Sequence, residues 1–265
     1  MRNGILTALS GLFVLSASPA LADAWWSGDW YLKVGGSAFV APRYQGDNSY
    51  LFQGTPMISL GRADQTVRFT SRNDNPSFSV YDNGAVRAGI VGKLILPRDK
   101  DTSSDLKGLD PVRLGVEAGV FTEVYPTDWM RIRAEVRRGI RSHDGIVADV
   151  AADAFTDVTD TVRLSAGPRL SFATKGYMDA YYGVDAKEAA RSGLKKYKAD
   201  GGIQSAGLGA AIDWKATEKV DTSLFAEYSR LTGPAADSSL VRERGNRNQF
   251  LIGVSATYRF DFHLD

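Results

Sequence analysis

Asn248-Gln249-Phe250-Leu251-Ile252-Gly253-Val254-Ser255-Ala256-Thr257-Tyr258-Arg259-Phe260 is the stretch that decides the fold. Phe250, Ile252, Val254, Ala256, Tyr258 and Phe260 fall on one face of an extended chain. Gln249, Gly253, Ser255, Thr257 and Arg259 fall on the other, and Leu251 departs from the pattern. A two-residue period is that of a β-strand, not of a helix. The pattern recurs upstream. Residues 112–125 set Val112, Leu114, Val116, Ala118 and Val120 against Arg113, Gly115, Glu117, Gly119 and Glu123. Residues 129–141 set Met130, Ile132, Ala134, Val136 and Ile140 against Arg131, Arg133, Glu135, Arg137 and Arg141. Residues 145–157 set Ile146, Val150 and several alanines against Asp149, Asp153 and Asp157. The same spacing predicts strands at 29–41, 53–61, 66–72, 84–97, 160–173, 177–183, 203–215 and 220–231. That makes about twelve in all (10–14 with the play in strand boundaries), an even number as single-chain bacterial barrels require.

Period two is shared by a soluble β-sandwich with its apolar face inside and a membrane barrel with that face outside. Three features favour the membrane. The apolar faces are rich in Ala, Val and Leu and almost free of charge. Aromatics gather near strand ends (Trp25, Trp26, Trp30, Tyr125, Trp129, Trp214, Tyr258, Phe260), as interfacial girdles do. The opposite faces carry charges of both signs that can pair across a narrow lumen. The mean hydropathy of −0.21 does not oppose this, because a polar lumen dilutes the apolar band. The reading is an all-β, antiparallel, up-and-down transmembrane β-barrel.

The chain starts with Met1-Arg2-Asn3, continues through an apolar run from Ile5 to Ala17, and reaches Ala20-Leu21-Ala22, a small-x-small cleavage site. The run falls well short of the ~20 residues of a membrane-spanning helix. Residues 1–22 are expected to be a cleaved export signal and residues 23–265 the barrel, in the outer membrane of a Gram-negative cell. The 32 Lys+Arg against 31 Asp+Glu become equal once Arg2 leaves, which argues against a nucleic-acid partner. Zero Cys rules out disulfides and thiolate chemistry, and the only histidines are His143 and His263. No catalytic, cofactor-binding or metal-binding residues are expected.

If the last strand descends to the periplasm, connectors 42–52, 73–83, 184–202 and 231–247 fall outside the cell. Those at 62–65, 142–144, 174–176 and 216–219 fall inside. The charged segment Arg98 to Pro111 is then unusually long for the periplasmic side, which means either that the strand count slips there or that the loop is a docking surface. Arg138 lies on an apolar face near a strand end, where snorkelling is open to it. Pro168, lacking a ladder donor, predicts a bulge. His143 beside Asp144 is the natural place to look for a hydrolase, but its setting before Gly145 reads as a tight turn with no second partner. Gly201-Gly202 and Gly207/Gly209 lack the context of a nucleotide loop and read as strand or turn glycines. The rows Arg131/Arg133/Arg137 and Asp149/Asp153/Asp157 fit either an ion-selective pore or, better, a salt-bridged filling of a small lumen.

Several segments resemble the MipA/OmpV family of Gram-negative outer-membrane proteins. They are Pro42-Arg43-Tyr44-Gln45-Gly46-Asp47-Asn48 with Pro56, then Leu106-Lys107-Gly108-Leu109, then Ser142-His143-Asp144-Gly145. Further along come Ala180-Tyr181-Tyr182-Gly183-Val184, Ala189-Ala190-Arg191-Ser192-Gly193-Leu194 with Tyr197, Gly201-Gly202, Leu231-Thr232-Gly233-Pro234-Ala235-Ala236-Asp237-Ser238 and Tyr258-Arg259-Phe260. Family chains commonly finish at that last aromatic, whereas here Asp261-Phe262-His263-Leu264-Asp265 follows. The resemblance implies a structural or scaffolding protein that brings a lytic transglycosylase together with a penicillin-binding protein in peptidoglycan assembly. The alternative is an adhesin or small-solute pore acting through external loops or lumen. There the basic run Lys187 to Lys198 would meet lipopolysaccharide phosphates.

Overall fold

The computed structural model describes residues 27–63 and 68–264. The expected leader and the Trp25-Trp26 pair lie outside the described residues. The described chain forms one antiparallel sheet of eleven strands. These are β1 (Gly28–Pro42), β2 (Tyr50–Arg62), β3 (Ser77–Asp82), β4 (Val86–Ile95), β5 (Gly115–Thr127), β6 (Met130–Ile140), β7 (Ile146–Asp157), β8 (Val162–Ala173), β9 (Gly202–Lys215), β10 (Val220–Leu231) and β11 (Asn248–Leu264). From β3 to β11 each strand pairs with its chain neighbours, and β11 pairs with β1, which pairs in turn with β2. The sheet curls with its apolar face outward. On β11, Phe250, Ile252 and Val254 are 57%, 56% and 53% exposed, while Gln249 between the strand end and Leu251 is buried. Water-exposed aliphatics in such number need a lipid solvent.

β11 continues through Leu264, which pairs with Gly28, so the extra residues after Phe260 prolong the last strand. One rim, the turn rim, holds the start of β1, the end of β11 and the short connectors 83–85, 128–129, 158–161 and 216–219. The opposite rim, the cap rim, carries 43–49, 96–114, 141–145, 174–201 and 232–247. Four helices pack there: α1 (Lys175–Tyr182), α2 (Ala186–Ser192), α3 (Gly233–Asp237) and α4 (Ser239–Arg244). Trp129, Trp214, Tyr258 and Phe260 are exposed near the turn rim, as a girdle requires. Tyr125 instead turns inward, and Trp30 is covered, with the Arg62 guanidinium over its ring.

The count of twelve is corrected to eleven at three places. Residues 177–182 are helical and Gly183 caps them, because Tyr177/Tyr181 and Met178/Tyr182 at i,i+4 share the buried side of α1. A seven-residue window holds both periods equally well. Residues 68–72 of the expected 66–72 strand form no strand (66–67 lie outside the described residues), whereas 77–82, expected as loop, is β3. The two misread strands cancel in their effect on direction. Strands β4 to β8 therefore run opposite to expectation, while β9 to β11 run as expected. It follows that 98–111, 142–144 and 174–176 lie on the cap rim, and the turn at 83–85 lies opposite. The long 98–111 connector thus shares its rim with the other long connectors.

Pro168 makes no bulge. The β7–β8 ladder lapses between Ala151↔Arg169 and Ala154↔Ala166 without changing register, so Pro168 sits where the ladder is interrupted. The shift along β8 falls instead at Ser171/Phe172. Arg138 faces outward, two residues from the end of β6.

Among the described residues β2 and β3 are the two sheet edges, and they do not pair. Both run toward the turn rim, so the antiparallel closure of an even-stranded barrel is closed to them. A seam remains in the wall.

Candidate functional site: a filled lumen under a helical cap

The inward faces of β5 to β8 supply the ionic residues. Arg131 on β6 is fully buried; it reaches Asp153 on β7 at 2.8 Å and Glu123 on β5 at 3.4 Å. Arg137 meets Glu117 at 2.9 Å and also bonds Glu135 and Asp149. Arg133 bonds Glu135 at 2.7 Å and Glu123, and its guanidinium lies over Phe121. The expected opposition of the Arg and Asp rows is thus realised between β6 and β7 by Arg131–Asp153 and Arg137–Asp149, but not by Arg133, held by glutamates, nor by Asp157, which pairs with Arg163 at 2.7 Å. Each buried charge on the inward faces of these four strands has an opposite charge in hydrogen-bond range, the condition for keeping ions out of water.

The middle of the lumen is occupied by a segment that sequence reasoning placed in the wall. Residues 68–76 leave the turn rim, where Arg163 donates to the Arg68 carbonyl at 2.6 Å. They climb inside the sheet to Pro76, whose carbonyl accepts from Gly92 at 2.9 Å. Phe69 is buried and stacks on Phe155 at 4.7 Å, with Arg131 over its other side at 4.7 Å. Arg72 is held between Phe39 of β1 and Phe225 of β10, at 4.6 and 4.5 Å from the ring centres. Asp74 takes both Nη atoms of Arg131, at 2.6 and 2.9 Å. Asn73 bonds Glu227, and Asn75 donates to Glu135 at 2.7 Å. Beside this plug a cavity of about 30 Å³ remains, room for about one water. A second of about 190 Å³ lies toward the cap rim, lined by Pro42, Gln45, Ser229 and Gln249. Glu227 and Leu251 line both.

The cap packs over the far end beside the larger cavity. Tyr177, Met178 and Tyr182 of α1 pack with Leu231, Ala235, Ala236 and Val241. Tyr44 joins Leu106, Val184, Leu194 and Leu240. Arg98 from the misplaced connector lies over the Tyr44 and Tyr181 rings and donates to the Tyr181 carbonyl at 2.8 Å. Burial lowers the affinity of its guanidinium for the proton, and burial pushes the Tyr181 and Tyr182 hydroxyls up to about 12.

His143 belongs to this cap–lumen junction. The Gly145 N–H donates to Nδ1 at 3.2 Å, which puts the proton on Nε2, 3.1 Å from Glu117. The ring meets Tyr177 edge-on at 4.9 Å. With its lone pair already accepting a backbone bond, the imidazole is poorly placed as a general base. Gly139 is required below it, since a Cβ there would sit 2.3 Å from the ring. Gly207 likewise has the Tyr228 carbonyl 2.3 Å from where a Cβ would stand, a strand glycine in close approach to its neighbour. Among the described residues no cluster of His, Asp and Glu has metal-holding geometry.

The family described as "MltA-interacting protein MipA" matches residues 34–260. The chain belongs to the MipA family. Together with the outward apolar band, this makes it an outer-membrane β-barrel protein. No curated protein matches it. Among solved structures, a bacterial polysaccharide outer membrane secretin covers 87% of this chain and 98% of its own, at 10% identity and a TM-score of 0.44. Outer membrane protein H of P. aeruginosa covers 88% and 100%, at 14% identity and 0.32. Neisserial surface protein A covers 88% and 99%, at 12% identity and 0.29. The MipA match includes the seam, the plug and the whole cap, so these are features of the matched region and not additions to it. The plug residues Phe69, Arg72 and Asp74 were missed in the sequence. Their one local signal is Asn73-Asp74-Asn75-Pro76, a turn sequence that marks an ending without saying where the preceding arm lies.

Proposed function

We propose that this MipA-family barrel is a non-catalytic scaffold of the outer membrane. In this reading the leader 1–22 directs export, the cap rim faces the outside and the turn rim faces the periplasm. The turn rim then presents a lytic transglycosylase, and with it a penicillin-binding protein, for peptidoglycan assembly. The observation that carries the reading is the filled lumen: with Phe69, Arg72 and Asp74 wedged among Arg131 and the Phe155, Phe39 and Phe225 rings of the wall, the resting barrel offers surfaces rather than an open channel. The family description supplies the partner class. The set of tight turns, with Asp128 and Lys219 in them and Asp157 and Arg163 at the strand ends beside them, is the periplasmic surface to test.

The test is retention of a lytic transglycosylase by the purified barrel. Replacing 158–161 and 216–219 with Gly-Ser turns is expected to lose retention while heat-modifiable migration persists. Deleting 100–110 of the cap-rim connector is expected to leave retention intact. The opposite pattern rejects the reading.

A second reading, as an adhesin at the cell surface, is favoured by the exposure of Lys187, Arg191, Lys195, Lys196 and Lys198 on the cap rim. Their phosphate-binding role predicts weaker lipopolysaccharide binding when the four lysines become Gln, with a reduced salt dependence.

A further inference from the structure

We propose that residues 68–72 also fit the open seam of the wall as an ascending strand, and that their move there opens the lumen to small hydrated ions. This goes beyond the scaffold reading and does not depend on it.

The argument starts from the edges. β2 offers a thirteen-residue edge and β3 a six-residue edge, neither paired on its outer side, in a wall whose outer face is apolar. Unpaired backbone N–H and C=O groups facing hydrocarbon are costly, and barrels normally close to avoid them. Because β2 and β3 both run toward the turn rim, only a strand running the other way pairs antiparallel with both. Residues 68–72 run that way, from the turn rim upward, and they immediately precede β3. Asn73-Asp74-Asn75-Pro76 between them is a four-residue connection of hairpin composition.

The side chains agree. A four-residue connection sets Arg72 opposite Ser77, Thr70 opposite Ser79 and Phe69 opposite Val80. Ser77 and Ser79 stand in register with Val91 and Gly89 of β4, whose inward set includes the buried Val91. Arg68, Thr70 and Arg72 then face the lumen, and Phe69 faces lipid beside Val80, which is 75% exposed. Apart from Ser71, which also turns outward beside the exposed Phe78, the polar-in, apolar-out alternation of the other strands is kept, and the wall reaches twelve strands.

What this would open is also visible. The two lumen cavities meet at Glu227, and Asn73 of the segment is bonded to that carboxylate. Thr70 to Asn73 line the smaller cavity. With the segment in the wall, the cavities join into one passage lined by Arg169, Asp213 and Glu227. The lumen position is also imperfectly satisfied: the buried Arg72 Nε finds no acceptor.

The chain has no cysteine, so introduced pairs are unambiguous. Phe69→Cys with Phe155→Cys locks the segment inside, and Thr70→Cys with Ser79→Cys locks it in the wall. Mature full-length barrels in planar lipid bilayers with KCl as the probe report the passage. The expected result is complete loss of conductance for oxidised F69C/F155C, its return on reduction, and persistent conductance for oxidised T70C/S79C. If F69C/F155C does not fold, as judged by heat-modifiable migration, T70C/S79C decides alone. Equal conductance in both redox states, silence throughout, or no intrachain T70C/S79C disulfide overturns the proposal. So does a disulfide-linked dimer of Ser79→Cys alone, which would put a second copy in the seam.

Discussion

The wall from β8 through β11 to β1 and the region from β2 through the plug to β3 obey different physics. In the first, each strand is paired along most of its length on both sides, with β1 and β11 matched from Gly28↔Leu264 to Val40↔Ile252. Its outward residues alternate with inward ones that are mostly small or polar, Phe39 and Phe225 excepted, and local pattern is enough to place most side chains. In the second, the edges are free and the chain between them has turned inward, held by ion pairs and aromatic rings from several distant strands. The lesson is that the ladder specifies the wall, whereas the lumen specifies the plug.

This contrast can be broken most sharply at Arg131. Arg131→Ala leaves Asp74, Asp153 and Glu123 without their shared cation, so a loss of about 3–5 kcal/mol in urea unfolding from lipid vesicles is expected. A loss under 1 kcal/mol would mean that the network is hydrated and the plug loosely held. Phe69→Ala removes a buried stacked ring and is expected to cost about 3 kcal/mol, at the low end for such truncations. Its signature is faster proteolysis at 68–76 while the wall still migrates as folded; loss of wall and plug together would refute their separation.

The wall has its own probe. Val254→Arg puts a charge on the lipid face of a fully paired strand and is expected to cost about 2–4 kcal/mol. Val80→Arg, on the short free edge of β3 near the turn rim, is expected to cost about 0–1 kcal/mol. Equal penalties measured side by side would show the seam to be closed and lipid-facing like the rest.

The smallest effect sharpens the cap. Tyr181 and Tyr182 have hydroxyls raised by burial to about 12 from the ordinary 10. A raised folded value means that the stability they confer is fully present below pH 10 and is lost as pH climbs toward 12. Tyrosinate absorbance during alkaline titration should therefore lag for these groups, with the cap loosening in that window while the strands persist. Normal titration of all tyrosines near 10 would contradict the packing described.

Much of the wall was legible because strand alternation is a local property. Phe250 to Phe260 faces lipid for the same reason that it alternates. The pairing of Arg131 with Asp153 could likewise be anticipated, since the two stand directly opposite in the β6–β7 register. What failed was short and dual. Tyr177 to Gly183 satisfies a helical and a strand period alike, and tertiary burial of Met178 and Tyr182 chose the helix. Residues 77–82 alternate only from Ser77 to Val80 before the irregularity at Ser79/Tyr81 breaks the period, too short a run to stand out as a strand. His143 looked like an isolated imidazole in a turn. Its bonds to Glu117 and Gly145 come from residues brought together only by the β5–β6 pairing and the turn geometry.

The sequence by itself determined an outward-apolar antiparallel wall, a charged lumen and the absence of thiol chemistry, because each follows from residue type and nearest-neighbour spacing. Only the tertiary structure decided on which rim the 98–111 connector lies and whether residues 68–76 belong to wall or lumen. The physical reason is that these depend on strand parity around the whole sheet and on which distant arginines and rings are present to receive Phe69, Arg72 and Asp74.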